Sequence, residues 1–243
     1  MVETFPMGEA LKFGWGAMKR NISFFIIILI VGLIIYVVPE FLTKKLGKEA
    51  PLIALVIVLA AWVVQAVVSL GYTQISLKLC DENKPEIGDV FSAYPYFLKF
   101  VISSLLYAGL YFLTFIPSVV VLLIGHYLKN TANPLSSIFM IAGFATTFFL
   151  MMYVVTIFWF YIFIIVDKNA GPVEALKKSA AMTKGYRFKI FLFFLAVAGV
   201  NIVGFLALVI GLFASIPTTM VASAYLYRKL DLSADSQAPQ GGM

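Results

Sequence analysis

The 243-residue sequence is 62% hydrophobic and only 12% charged. A soluble domain carries about 25% charge, so lipid rather than water must be the solvent for most of this chain's surface. The net charge of +6 is dealt out between apolar runs, which argues against a nucleic-acid stripe, and a single Cys80 and His126 exclude an intramolecular disulfide and disfavour a transition-metal or haem site.

In chain order, the first element is a short basic amphipathic helix around Glu9–Asn21. It stacks Met7, Leu11, Trp15 and Met18 on one face, with Glu9, Lys12, Gly16, Lys19 and Arg20 opposite. The first apolar run, Ile22–Val38, has no small-residue cleavage pattern after it and is expected to be a retained span rather than a signal peptide. Pro51–Ser76 is the second run. Asp81, Glu82, Glu86 and Asp89 follow; they are the nearest thing to a metal site, but the interleaved Lys84 favours a solvated loop. Pro85-Glu86 then opens a second amphipathic segment, with Ile87, Val90, Phe91 and Tyr94 at helical spacing.

Phe100–Gly125 is the third run, with His126 and Lys129 just beyond it at the outer interface. Leu135–Val166 is the fourth, and its aromatic group Phe158-Trp159-Phe160-Tyr161 is expected to anchor at the interface or pack against lipid. A third amphipathic segment opens at Pro172-Val173-Glu174 and sets Val173, Leu176 and Ala180 against Glu174, Lys177, Lys178 and Lys184. The last run, Ile190–Tyr227, exceeds the roughly 20 residues of one crossing. Gly211, Ser215 and Pro217 supply turn chemistry within it, so two spans are favoured over one span plus a re-entrant piece. Residues 232–243, rich in Ser, Ala, Gln, Pro and Gly, are expected to be a disordered cytoplasmic tail.

Lys and Arg favour cytoplasmic loops. Placing the N-terminus inside puts there Lys12, Lys19, Arg20, Lys78, Lys84, Lys99, Lys168, Lys177, Lys178, Lys184, Arg187, Lys189, Arg228 and Lys229. Only Lys44, Lys45, Lys48 and Lys129 are left outside. Both termini are therefore expected in the cytoplasm.

The tetrapeptide Glu9-Ala10-Leu11-Lys12 recurs as Glu174-Ala175-Leu176-Lys177, each copy ahead of an aromatic-rich run. With the segment after Pro85 as a weaker copy, the chain divides into units at roughly 5–79, 85–166 and 172–230. Each unit is one interfacial helix followed by two spans, and together they form a single domain over 1–231. The expected fold is thus an all-α polytopic bundle of about six transmembrane helices, with three cytoplasmic amphipathic helices in a pseudo-threefold repeat.

The apolar runs contain no Asp, Glu, Lys or Arg, whereas ion-coupled transport usually needs ionisable groups inside the membrane. Their amides and hydroxyls, among them Gln65, Gln74, Ser103, Ser104, Thr156 and Asn201, suit hydrogen bonds between helices. Gly199, Gly204 and Gly211 suit close helix approach. With no HExxH, GxSxG or P-loop pattern, no catalytic residue, cofactor or metal ligand is assigned, and an enzyme is not expected. The candidate contact residues are Trp15, Lys12, Lys19, Arg20, Phe91, Lys177, Lys178, Lys184 and Arg187.

Val166-Asp167-Lys168, the stretch Gly171-Pro172-Val173-Glu174-Ala175-Leu176-Lys177-Lys178-Ser179 and Thr183-Lys184-Gly185 together resemble a large group of prokaryotic polytopic proteins. These are similar to the YciC-like envelope proteins and to the membrane domain fused to some glycerophosphodiester phosphodiesterases. The resemblance implies six spans in a prokaryotic cytoplasmic membrane and an accessory role in envelope or membrane homeostasis. It carries over no catalytic residue. The expected function is a non-enzymatic scaffold or regulator, touching membrane lipids (anionic ones included) or a membrane-protein partner. The alternative is a transporter of a lipid or other amphiphile.

Overall fold

The computed structural model describes residues 5–130, 135–207 and 210–237, apart from the side chains of residue 130 and residues 234–237. The described residues are helical and contain no strand. Among the described residues five helical stretches are long and apolar enough to cross a membrane: Ile22–Leu46, Pro51–Cys80, Asp89–Lys129, Ser136–Lys168 and Arg187–Leu206.

Three helical hairpins form the body. In the first, α2 (Ile22–Leu46) pairs with α3 (Pro51–Cys80). The Tyr72 hydroxyl donates to the Ile28 carbonyl at 3.0 Å, and Gly32 leaves room for that ring, because a Cβ there would collide with it. In the second, α5 (Phe97–Leu113) leads into α6 (Phe115–Asn130), which folds back on α7 (Ser136–Phe158). Pro117 cannot donate to the Leu113 carbonyl, and the chain breaks between α5 and α6 at Thr114, whose hydroxyl bonds Tyr111 at 2.6 Å. Gly125 and Gly143 bring α6 and α7 close, against Met140 and Leu122 respectively.

The third hairpin pairs α10 (Arg187–Leu206) with α11 (Leu212–Gln237). Gly204 lies against Gly211 and Ser215, and the Asn201 amide donates to the Thr219 hydroxyl at 3.4 Å. Helix α10 therefore ends before Gly211, while Ser215 and Pro217 continue inside α11 instead of forming the turn. Gly199 meets no neighbour and plays no part in the close approach.

The shorter helices close these hairpins into a ring. Helix α4 (Asp89–Ser92) crosses α3 where Gly71 meets the Val90 backbone so closely that a Cβ would not fit. Helix α9 (Pro172–Met182) packs on α7 and on α8 (Tyr161–Lys168), the continuation of α7 beyond a break at Trp159–Phe160. Helix α1 (Met7–Arg20) lies along α11, with Gly14 against the Thr218 carbonyl and Phe13 stacked on Tyr225 at 4.8 Å. Each short helix thus sits on the second helix of the hairpin before it in the chain, and the first sits on the last.

The faces that pack are not the ones large side chains suggest. In α1 the buried residues are Ala10, Gly14, Ala17 and Met18, while Trp15 is 47% exposed. Of the expected stripe Ile87, Val90, Phe91 and Tyr94, only Val90 is buried, and α4 itself covers only Asp89–Ser92. In α9 Leu176 is buried with Ala175, Ser179 and Met182, while Val173 is exposed. Small residues win these interfaces because they let backbones approach closely, which leaves the bulky apolar groups outside. The aromatic group is corrected likewise: Phe160 and Tyr161 lie in the core, packed with Phe163, Phe193 and Tyr227, rather than against lipid.

Candidate functional site

The strongest concentration of charge lies where the second helices of the three hairpins converge. Arg228 of α11 donates from Nη1 to Asp167 Oδ1 of α8 and from Nη2 to Asp81 Oδ2 at the end of α3, both at 2.7 Å. The Tyr227 hydroxyl donates to the other Asp167 oxygen at 2.9 Å, and Lys168 pairs with Asp231 at 2.5 Å beside it. One guanidinium fork therefore ties three hairpins together, a bidentate geometry that lysine could not supply. Burial pulls the Arg228 guanidinium down, but its hydrogen bonds to Asp167 and Asp81 outweigh that and hold it above its ordinary value. A group so firmly protonated is a tie between helices, not a proton carrier.

The three clamp residues occupy matching places. Asp81 lies ten residues beyond Gly71, Asp167 ten beyond Ile157 and Arg228 ten beyond Thr218, and at each of those earlier positions a short helix makes its contact. Lys78 adds a local tie to Asp89 at 2.5 Å, and Asp89 also accepts from the Glu86 N–H at 2.7 Å. The acidic group is therefore not uniformly solvated. Glu82 and Glu86 are exposed, whereas Asp89 is buried and Asp81 is paired. Among the described residues no three His, Cys, Asp or Glu side chains gather as a metal site.

Ser179 on α9 and Thr183, which caps that helix one turn later, serve the break between α7 and α8. Both hydroxyls donate to the Ile157 carbonyl, at 2.8 and 3.3 Å, and Ser179 Oγ accepts from the Phe160 N–H at 3.2 Å. Backbone groups released by a helix break in an apolar setting need such partners. The hydroxyl spacing in Ser179–Thr183 is a signal the sequence carried, yet it pointed to no role until the break was visible.

The expected contact residues divide in two. Lys12, Trp15, Lys19 and Arg20 on α1, Phe91 on α4, and Lys177, Lys178 and Lys184 on or just after α9 are all exposed. Lys178 pairs with Glu174 at 2.7 Å, and Lys19 sits 5.7 Å from the centre of the Trp15 ring. Glu174 is held below the usual carboxylate range by its hydrogen bond to Lys178, helped by the Gly171 N–H. Lys12, Lys19, Arg20, Lys177 and Lys184 make no ion pair among the described residues. Arg187 stands apart, half-buried against α7.

Crevices open between the hairpins. One of about 420 Å³ lies between α2 and α11, lined by Leu29, Leu33, Tyr36, Phe213 and Ile216. Another, of about 710 Å³, separates α5 from α9, with Leu105, Leu110, Val173 and Leu176 on its walls and Lys177 beside them.

Described residues that form helices and no strand and include five membrane-length apolar stretches, with Asp81, Asp167 and Arg228 paired across three hairpins, have the makeup of a multi-pass membrane protein. Residues 8–234 match the family described as "Protein of unknown function (DUF975)", and the chain belongs to that family. No curated protein and no solved structure matched it.

Proposed function

We propose that this chain is a non-enzymatic protein of a prokaryotic cytoplasmic membrane that scaffolds or regulates other envelope components. It would do so through the basic outer faces of α1 and α9, by contact with a membrane protein or with anionic lipid. It has six spans and both termini in the cytoplasm. Its short helices lie at the cytoplasmic interface as parts of a pseudo-threefold repeat, in keeping with its likeness to the YciC-like proteins.

The observation that carries this reading is the partition of charge. Asp81 and Asp167 both pair with Arg228 where the hairpins meet, while Lys12, Lys19, Arg20, Lys177 and Lys184 stand exposed without carboxylate partners among the described residues. The six-span count draws support from the α10–α11 hairpin, which returns Arg228 to the same end as Asp81 and Asp167. Helix α11 carries Ser215, Thr218, Thr219 and Ser223, all buried within protein, as suits a span packed against the other hairpins. Reversing charge at Lys12, Lys19, Lys177 and Lys184 together should abolish association with partner and anionic vesicle alike, as read by native mass spectrometry of gently solubilised protein and by vesicle flotation. Unchanged association would overturn the proposal.

The crevices favour a second reading, movement of an amphiphile. Labelled-lipid translocation in proteoliposomes would support it, and its absence under every imposed gradient would remove it.

A further inference from the structure

We infer that the crevice between α7 and α10 is a binding site for one phospholipid with a net negative headgroup, its phosphate seated on Arg187. The inference rests on the membrane reading above and sharpens its lipid arm to a single site.

The crevice holds about 340 Å³, within the range of small-ligand pockets. Its walls are apolar and aromatic: Phe149, Met152 and Tyr153 from α7 face Phe188 and Phe191 from α10. Among the described residues Arg187 is the only charged one lining it, and none of the lining side chains is acidic. Among the described residues Arg187 forms no ion pair. Its Nη1 donates to the Tyr153 hydroxyl, and the guanidinium lies 5.1 Å from the centre of that ring. Its Nε is shut off from solvent and has no hydrogen-bond partner.

A guanidinium presents five N–H donors in a fixed fork, and an uncompensated charge against apolar walls is costly. The Nε of Arg228 is buried and unpaired as well, but its two Nη atoms reach two aspartates, whereas the Nη atoms of Arg187 reach one phenol. The missing partner is therefore an oxyanion able to accept from the fork, as a phosphate does. A free phosphate would leave the aromatic walls exposed, with Phe149 66% and Phe188 71% accessible. A phospholipid satisfies both halves, with phosphate on the fork and an acyl chain along Phe149, Phe188 and Phe191. The preference for an anionic over a zwitterionic headgroup follows from the surroundings. Lys184 is exposed nearby in sequence, Lys189 lies over Tyr186, and no carboxylate lines the crevice to receive a choline.

The test uses the full chain in mild detergent, with dioleoylphosphatidylglycerol and dioleoylphosphatidylcholine as probes in native mass spectrometry. Wild-type protein should retain one phosphatidylglycerol in preference to phosphatidylcholine. Arg187→Gln should weaken that retention by about tenfold, equivalent to roughly 1.4 kcal/mol, and Lys178→Gln should not. Equal retention by Arg187→Gln, or equal binding of the two lipids by wild type, overturns the inference. So does displacement of the lipid by millimolar glycerol 3-phosphate, which would assign a free-anion site. If Arg187→Gln does not fold, a photoactivatable acyl chain on phosphatidylglycerol decides with wild-type protein. Labelling of Phe149, Met152 or Phe191 supports the site, and labelling confined elsewhere refutes it. Loss of partner association in the lysine reversal alongside unchanged lipid retention in Arg187→Gln would sink this inference alone.

Discussion

The two halves of each hairpin are built by different rules. Toward the clamp, residues 66–81, 156–168 and 218–231 are mostly buried and are knit by hydroxyls and charges. Toward the other end the hairpins expose Leu33, Ile34, Val56, Leu59, Phe144 and Phe148. Lipid tails are as apolar as leucine, so burying one leucine against another gains little there. Specific packing is therefore concentrated where small residues, hydrogen bonds and ion pairs can supply it.

That contrast ranks the effects of substitution. The largest is expected at Arg228: Arg228→Leu leaves Asp167 with only the Tyr227 hydroxyl, while water relieves the more exposed Asp81, and should cost about 2–3 kcal/mol, read as a fall in the melting temperature of detergent-solubilised protein. Gly71→Val and Gly14→Leu come next, at about 2 kcal/mol each, because the added carbons meet the backbones of Val90 and Thr218, which cannot swing aside. Ser179→Ala leaves the Phe160 N–H without an acceptor and should cost about 1–2 kcal/mol, seen as faster amide exchange at the α7–α8 break. In the other half, Leu52→Ala, at a residue 77% exposed, should shift stability by less than about 0.5 kcal/mol.

The smallest effect is a pH dependence. Because the Glu174 carboxyl is held below its ordinary value, its pairing with Lys178 and Gly171 is fully present above pH about 4.5 and is lost as pH falls through the lowered value. With both side chains exposed, the change should be detectable only as a slight loss of α9 helicity on acidification, absent in Glu174→Gln.

The membrane-length runs were legible because lipid exposure writes itself as hydrophobicity. The α10–α11 turn was half legible: Gly211 lies at it, whereas Ser215 and Pro217 continue inside α11, where a helix surrounded by protein can carry hydroxyls such as Ser215, Thr218, Thr219 and Ser223. The ring of short helices was half legible. The tetrapeptide repeat marked α1 and α9, yet helical periodicity weighted Trp15 and Val173 over Gly14 and Ser179, which make the contacts. The clamp was hidden because Asp81, Asp167 and Arg228 are 61 to 147 positions apart in pairs, and each alone looks like an ordinary charge at a span's end.

The division between charges that hold the fold and charges left for contact is tested most directly by a rescue measurement at the clamp. The thermal stabilities of Arg228→Leu and of the triple variant Arg228→Leu, Asp81→Asn, Asp167→Asn are compared with wild type in one detergent. If the clamp is structural, the single variant is strongly destabilised. The triple variant recovers most of the loss, because no unpaired carboxylate remains. A single variant as stable as wild type would contradict this, and would leave Arg228, Asp81 and Asp167 free to be a functional site in their own right.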